Sequence, residues 1–310
     1  MIKHSRSTSD RDTSRVWLIT GAGRGLGLAF AQAAIEAGDR VAGTVRERGG
    51  LGALVDSQPD RVLELVADVR CDAEVRAAVE AAVAWGGRLD VVVNNAGYGL
   101  VGAIEEVSEA EAEANVSTNL LGPLRVSRAV IPHLRRQGRG HIVQISTSGA
   151  VGSMPGLGLY NAGKWGLEGF TEAMAAELEP FGIRVTIAEL GGFDTDWGGS
   201  SMRFASPKPE YDALRERMFG TAEVPWPAAN GPATDGGGEG DEDVAPEADD
   251  AAGGDASAAV AASALLAHVG APDGPLRLLV GDDVAEQVAM ALEARRVDYA
   301  RDPRFSWPTG

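Results

Sequence analysis

Residues 16–27 read VWLITGAGRGLG. Four large apolar residues in succession suit a strand covered by other elements on both faces. A glycine-rich turn follows, and from position 26 the text takes on the Leu- and Ala-rich spacing of a helix. The glycines fall as G-x-x-x-G-x-G at Gly21, Gly25 and Gly27; the stricter G-x-G-x-x-G fails, because counting from Gly21 its last position is Leu26. Glycine lets the chain turn sharply and approach a pyrophosphate, while a helix start offers unpaired N–H groups and the positive end of its dipole. The candidates for that contact are Gly21, Arg24, Gly25, Leu26 and Gly27. A turn that only packs helix against strand would also use glycine, but its place between first strand and first helix favours a nucleotide.

Outward from this turn the same rhythm repeats. Strands are expected over 16–20, 40–45, 62–66, 90–94, 141–146 and 184–189, and helices over 26–38, 72–85, 108–136 and 160–181. Ser108 with Glu111 makes a capping box for the third helix. Such alternation predicts an α/β fold, a doubly wound parallel sheet of Rossmann type with helices on both faces. A helix over 258–269, a strand over 275–280 and a helix over 282–296 complete the expected elements.

The chain has 310 residues, enough for a large core, and is read as a flexible arm (1–14) followed by one domain (15–310). Its formal charge of −17 is unevenly spread: ten acids and no Lys or Arg lie between 221 and 256. That stretch, poor in large apolar residues, is expected to be a disordered acidic insertion over 221–257. Such a balance argues against a nucleic-acid partner, which needs clustered cations. One cysteine, Cys71, and four scattered histidines exclude a disulfide framework and a metal motif. No apolar run approaches a membrane span, so a soluble cytoplasmic protein is expected.

The end of the second strand bears on the ribose. An NAD site usually carries an acid there, about 20 residues beyond the turn, for the 2′-hydroxyl. Here Gly43-Thr44-Val45 leads into Arg46, and Arg24 sits in the glycine turn. Two guanidinium groups suit a 2′-phosphate, favouring NADP over NAD, although Glu47 dissents and Arg46 could be a solvated strand-end charge. Asp68, after the third strand, is placed either to meet the adenine or to close an ordinary turn.

Tyr160-Asn161-Ala162-Gly163-Lys164 places a phenol and an ammonium on one helical face. A tyrosine is a poor acid or base with its pKa near 10, and a neighbouring cation favours the phenolate. Together with the glycine turn, Asn94-Asn95-Ala96-Gly97, Asn119 and the strand end at 141–148, this pair resembles the short-chain dehydrogenase/reductase family in order and spacing, over about residues 16–197. The resemblance implies an NAD(P)-dependent oxidoreductase exchanging a hydride with a carbonyl or alcohol. Tyr160 would be the general acid or base, Lys164 would hold the nicotinamide ribose and lower the Tyr160 pKa, and Asn119 would anchor a water in the proton relay. Asn95, Ala96 and Gly97 would lie beside the cofactor.

Two departures stand out. Thr147 falls where the family has serine, with Ser148 as the alternative hydroxyl. After the sixth strand the usual Pro-Gly is replaced by Gly191-Gly192, although Thr195 still matches the residue expected at the nicotinamide amide. The 193–219 stretch, with Phe193, Trp197, Met202, Phe204, Tyr211 and Met218, is expected to be a lid over an apolar substrate, Arg203 being a lone candidate for an anion. Trp165, Leu167, Phe170 and Met174 on the Tyr160 helix suggest a homodimer or homotetramer, unless they are buried within one chain. The competing reading is a non-catalytic NADP-binding regulator that engages a partner through the acidic stretch.

Overall fold

The computed structural model describes residues 14–194, 202–223 and 256–308. Seven strands form one sheet: β1 (Val16–Ile19), β2 (Arg40–Val45), β3 (Val62–Val66), β4 (Val91–Asn94), β6 (Gly140–Thr147), β7 (Ile183–Leu190) and β11 (Arg277–Val280). Their order is β11-β7-β6-β4-β1-β2-β3, with every pairing parallel. Two short parallel pairs lie apart, β5 (Gly99–Val101) with β9 (Met202–Phe204) and β8 (Phe193–Asp194) with β10 (Ala256–Ser257). The chain steps outward from β1 through β2 to β3, then returns to place β4 on the other side of β1. The loops leaving β1 and β4 therefore diverge, and the crevice between them is where open sheets of this kind bind ligands.

Side-chain alternation explains why β1 is apolar throughout. Trp17 and Ile19 pack with Phe30, Ala31 and Ala34 of α1 (Gly25–Glu36) and Leu265 of α8 (Ala258–Gly270). Val16 and Leu18 face the opposite layer, with Val79 of α3 (Asp72–Gly86), Val130 of α5 (Gly122–Gln137) and Met174 of α6 (Gly158–Leu178). The remaining helices among the described residues are α2 (Gly52–Ser57), α4 (Glu109–Val116), α7 (Asp212–Phe219) and α9 (Val284–Tyr299).

The helix expected over 108–136 is interrupted. Its capping box forms: Ser108 Oγ accepts from the Glu111 N–H at 3.3 Å, while the Glu111 carboxylate accepts from the Ser108 N–H at 2.8 Å. The run then widens into a π turn at Ser117–Leu121 before α5 begins at Gly122-Pro123. Gly122 lies against Val69, where a Cβ would come within 2.9 Å of the valine side chain. Single π turns inside helices recur at functional sites, and this one carries the fully buried Asn119.

On α6, Leu167 and Met174 are buried and Phe170 packs on the core of the same chain. Trp165 is half exposed, with the Arg295 guanidinium 4.4 Å from its ring centre. The apolar residues of this helix therefore do not by themselves call for a second subunit. No described helix is long and apolar enough to cross a membrane. Most of the expected arm (1–13), Thr195, Trp197 and the 224–255 part of the acidic stretch lie outside the described residues.

Candidate active site

The glycine turn is fastened to the loop after β4. The Thr20 hydroxyl accepts from the N–H groups of Asn95 (3.0 Å) and Ala96 (3.1 Å), and the Asn95 side-chain amide donates to the carbonyls of Thr20 (3.0 Å) and Gly21 (3.1 Å). Gly21 and Gly25 have φ of 65° and 52°, in the left-handed region that suits glycine. Close approach excludes side chains here: a Cβ at Gly27 would lie 2.2 Å from the Gly21 carbonyl oxygen, and one at Gly21 would lie 3.0 Å from the Ala96 Cα. The α1 N-terminus carries no side-chain cap and no acid in its first turn. A cradle of bare backbone facing an uncapped helix start fits a dinucleotide pyrophosphate.

At the ribose end, Arg24 and Arg46 are both exposed. The loop beyond Arg46 is held by Glu64, whose carboxylate accepts from the N–H groups of Gly49 (2.8 Å) and Leu51 (2.7 Å). Asp68 follows β3 at the same sheet edge and accepts from the Arg70 guanidinium at both carboxylate oxygens, Oδ1 from Nε at 3.0 Å and Oδ2 from Nη2 at 2.6 Å. That contact, with a further electrostatic pull from Arg46, holds its carboxyl below the usual range. Arg46 and Asp68 are thus neighbours, though the Asp68 carboxylate is already engaged by its own arginine.

Tyr160, Lys164, Thr147 and Asn119 converge from three elements. Tyr160 and Lys164 project from successive turns of α6 and are each 6% exposed. Thr147 ends β6; its hydroxyl is hydrogen-bonded to the Tyr160 phenol and accepts from the Gly149 N–H at 3.3 Å. Ser148 points elsewhere, donating to Gln287 of α9 at 2.5 Å. The geometry therefore brings Thr147, and not Ser148, to the phenol. Thr147→Val should lower kcat by roughly 100-fold through loss of one hydrogen-bond donor. Ser148→Ala should stay within about twofold of wild type, and steady-state kinetics of the two variants check the assignment.

The Lys164 ammonium donates to the Ile145 carbonyl at 2.7 Å and lies 5.8 Å from the Tyr160 ring centre. Burial pulls its pKa down to about 8, against an upward pull from Glu168. Burial likewise pushes the Tyr160 phenol above its ordinary value, and the Thr147 hydrogen bond works the other way. The sequence expectation, a phenol made more acidic by its lysine, thus meets a stronger opposing effect: the cost of ionising a group shut away from water. A phenol held in its protonated form is suited to giving a proton away.

Asn119 sits above Gly97, where a Cβ would come within 2.7 Å of the Asn119 Oδ1 and 3.7 Å of the Lys164 Nζ. Its side chain is committed to the Tyr98 backbone, Oδ1 accepting from the N–H at 3.1 Å and Nδ2 donating to the carbonyl at 2.9 Å. The side chain fixes the Gly97–Tyr98 loop.

Val101, Ala103, Gly156, Phe204, Leu214 and Met218 line a small apolar cavity between the β5–β9 pair and α7. Glu106 and Arg215 form a buried ion pair in its wall. Burial raises the Glu106 carboxyl, but the N–H groups of Lys208 and Ala103 and the Arg215 guanidinium outweigh it and hold it below its usual range. Arg203 lies over the Tyr98 ring, 4.9 Å from its centre. Tyr211 donates to Glu105 at 3.0 Å, so its hydroxyl serves the outer wall.

The sequence reading missed Thr20, whose hydroxyl ties the two cofactor loops, and Glu168, one turn beyond Lys164. The second had a usable signal: an acid at the i+4 position on the Tyr160–Lys164 face.

Comparison with known proteins accords with this geometry. A family model described as short chain dehydrogenase matches residues 15–204. Oxidoreductase BOA17 of Botryotinia fuckeliana is 37% identical over 289 residues, covering 90% of this chain and 93% of that protein. A short-chain dehydrogenase from Streptomyces avermitilis superposes with a TM-score of 0.78 at 32% identity, covering 94% of this chain and 96% of that one. A 3-ketoacyl-(acyl-carrier-protein) reductase from Brucella melitensis, complexed with NADH, gives a TM-score of 0.66 at 25% identity over 86% of this chain and 96% of that one.

Proposed function

The chain belongs to the short-chain dehydrogenase/reductase family and is an oxidoreductase of that type, and from this premise we propose that it is an NADP-dependent enzyme acting on an apolar carbonyl or alcohol with Tyr160 as its acid and base. The observation that carries the reading is the convergence of the Tyr160 phenol, the Thr147 hydroxyl and the Lys164 ammonium beside the glycine cradle.

Gly21, Gly25, Leu26 and Gly27 would hold the pyrophosphate, with Asn95, Ala96 and Gly97 lining the cofactor cleft and Lys164 reaching the nicotinamide ribose. Thr195, outside the described residues, keeps its proposed role at the nicotinamide amide. When bound, the dinucleotide supplies the hydride for reduction and accepts it in oxidation. In reduction Tyr160 gives its phenolic proton to the carbonyl oxygen as charge develops there. Thr147 donates a second hydrogen bond to the same oxygen, and the Lys164 cation steadies the phenolate left behind. In oxidation Tyr160 takes the proton back. The apolar lining around Phe204, Leu214 and Met218 supports a substrate with hydrocarbon next to its reacting carbon. A regulator without catalysis drew on Thr147 and the missing proline; the hydrogen bond between Thr147 and Tyr160 removes the first of these supports.

Solved relatives hold NADH in one case and NADP in another, so the preference for NADP rests on this chain's own Arg24 and Arg46. Arg46→Ala should raise the NADPH dissociation constant roughly 10- to 100-fold and leave NADH nearly unchanged, the loss of one charge-assisted phosphate contact. Fluorescence titration of both cofactors checks this, and equal losses would reject the NADP assignment.

A further inference from the structure

Beneath the Tyr160–Lys164 pair the structure buries more charge than the proposed chemistry uses. Glu168 stands one turn beyond Lys164 on α6 and is 6% exposed. The Ser146 hydroxyl donates to its Oε1 at 2.6 Å, and Arg277 of β11 reaches its Oε2 at 3.1 Å. Ser146 is the strand neighbour of Ile145, whose carbonyl takes the Lys164 ammonium, and of Thr147, which meets the phenol. The register of β6 on β7 sets Ser146 beside Glu189, which is fully buried. Arg277 Nε lies 2.9 Å from Glu189 Oε1, an ion-pair contact across β7 and β11. The same guanidinium also pairs with the more exposed Glu172, a further turn along α6.

Arg277 is therefore shared among three carboxylates. Burial and the neighbouring Glu168 push the Glu189 carboxyl up to about 7, so it is largely protonated just below neutrality. Below that pH Glu168 and Glu172 face Arg277 and Lys164, two negative groups against two positive ones, and above it Glu189 adds a third negative group beside Arg277. The charged groups around Lys164 and Glu168 are accounted for by element: Glu172 and the titratable Tyr160 on α6, Glu189 on β7 and Arg277 on β11. The adjoining residues of β6 bring hydroxyls at Ser146 and Thr147, and the π turn brings the uncharged Asn119.

We propose that Glu168, oriented by Ser146 and Arg277, is the counter-charge that keeps Lys164 an ammonium ion beside the Tyr160 phenol, a positioning residue and not a catalytic one. The proposal rests on the reading of Lys164 given above for the role of that charge, but its test does not. A buried lysine tends to lose its proton because the interior solvates the cation poorly, and a carboxylate one turn away opposes that loss.

The chain holds three lysines, Lys3, Lys164 and Lys208, so the side-chain nitrogen of Lys164 can be followed by 15N NMR in protein labelled at lysine. In cofactor-free wild-type protein its titration should centre near pH 8. In Glu168→Gln it should move to lower pH by about one unit. The alkaline limb of kcat against pH, measured with a reducible carbonyl, should move by the same amount, whereas a loss of packing alone would lower kcat evenly across pH. Glu168→Asp, which keeps the charge, should restore most of the shift. If Glu168→Gln does not fold, Glu168→Met carries the same test, because it removes the counter-charge and fills the site with an apolar side chain of similar length. A Lys164 titration unmoved in whichever variant folds overturns the proposal. Absence of carbonyl turnover in wild type would instead overturn the functional reading and leave the lysine titration to be judged separately.

Discussion

Tyr160→Phe should lower kcat and kcat/KM together by about 1,000-fold while NADPH binding stays within about twofold of wild type. General acid or base catalysis by one side chain is worth roughly 100- to 10,000-fold, and the middle of that range corresponds to about 4 kcal/mol of barrier. An equal fall in both constants is the signature of an interaction made in the transition state only. Phenylalanine keeps the ring, so the packing of α6 on β6 persists. The change removes one buried hydroxyl hydrogen-bonded to Thr147, and Thr147 Oγ1 still accepts from the Gly149 N–H. The stability cost should therefore be only about 1 kcal/mol. Turnover of a carbonyl panel with NADPH, thermal melting and cofactor fluorescence separate these effects. A variant that folds, binds cofactor and retains more than a tenth of wild-type kcat would remove Tyr160 from the proton transfer.

The same residue marks where sequence reading stops. Its location was legible, because i, i+4 spacing puts Tyr160 and Lys164 on one face and the strand–helix rhythm puts that face at the carboxyl edge of the sheet. Its electrostatics were not. The spacing suggested an ammonium lowering the phenol, whereas the fold buries both groups and turns the ammonium to the Ile145 carbonyl. Whether burial or a neighbouring charge dominates depends on how α6 lies on β6 and β7, which no local pattern encodes. Glu168 shows the same limit: its partners Ser146, Glu189 and Arg277 come from three different strands. The rhythm of apolar runs did predict the seven principal strands, since covered parallel strands need continuous hydrophobicity. It missed the π turn at Asn119, because widening a helix by one residue leaves its amphipathic pattern nearly intact. The short β5–β9 pair escaped as well, three residues being too few for any periodicity.

Thr147 shows how a departure from a family pattern should be weighed. Read as text, a threonine in place of serine, followed at once by a serine, left two possible hydroxyls. The backbone decides between them, since successive residues at a strand end point to opposite sides. With Thr147 turned to Tyr160, Ser148 faces α9 and meets Gln287.

Gly27→Ala should be the most damaging single-methyl change at the cofactor end, weakening NADPH binding by roughly 100-fold or more and lowering Tm by about 5 °C. A Cβ at this position would lie 2.2 Å from the Gly21 carbonyl oxygen and 2.5 Å from the Asn95 Nδ2, and neither atom can yield alone. The Gly21 oxygen belongs to a backbone whose φ of 65° is already restricted. The Asn95 amide is held by that oxygen and by the Thr20 carbonyl. Relief therefore requires the head of α1 to withdraw from the turn by about 1 Å, at the roughly 1–3 kcal/mol typical of overpacking. For a domain of this size each kcal/mol lowers Tm by about 2–4 °C. Withdrawal also re-aims the N–H groups that a pyrophosphate must meet, and a displacement of about 1 Å can cost 100-fold where geometry is critical. Gly23→Ala is the internal control. Its added Cβ would meet the Val45 side chain at 3.2 Å and the Gly50 carbonyl at 3.3 Å, distances that small adjustments relieve. Calorimetric titration with NADPH should therefore separate the two variants by at least tenfold. If both bind alike, the cradle between Gly21 and Asn95 is not what receives the pyrophosphate, because the one methyl that closes it would have cost the ligand nothing.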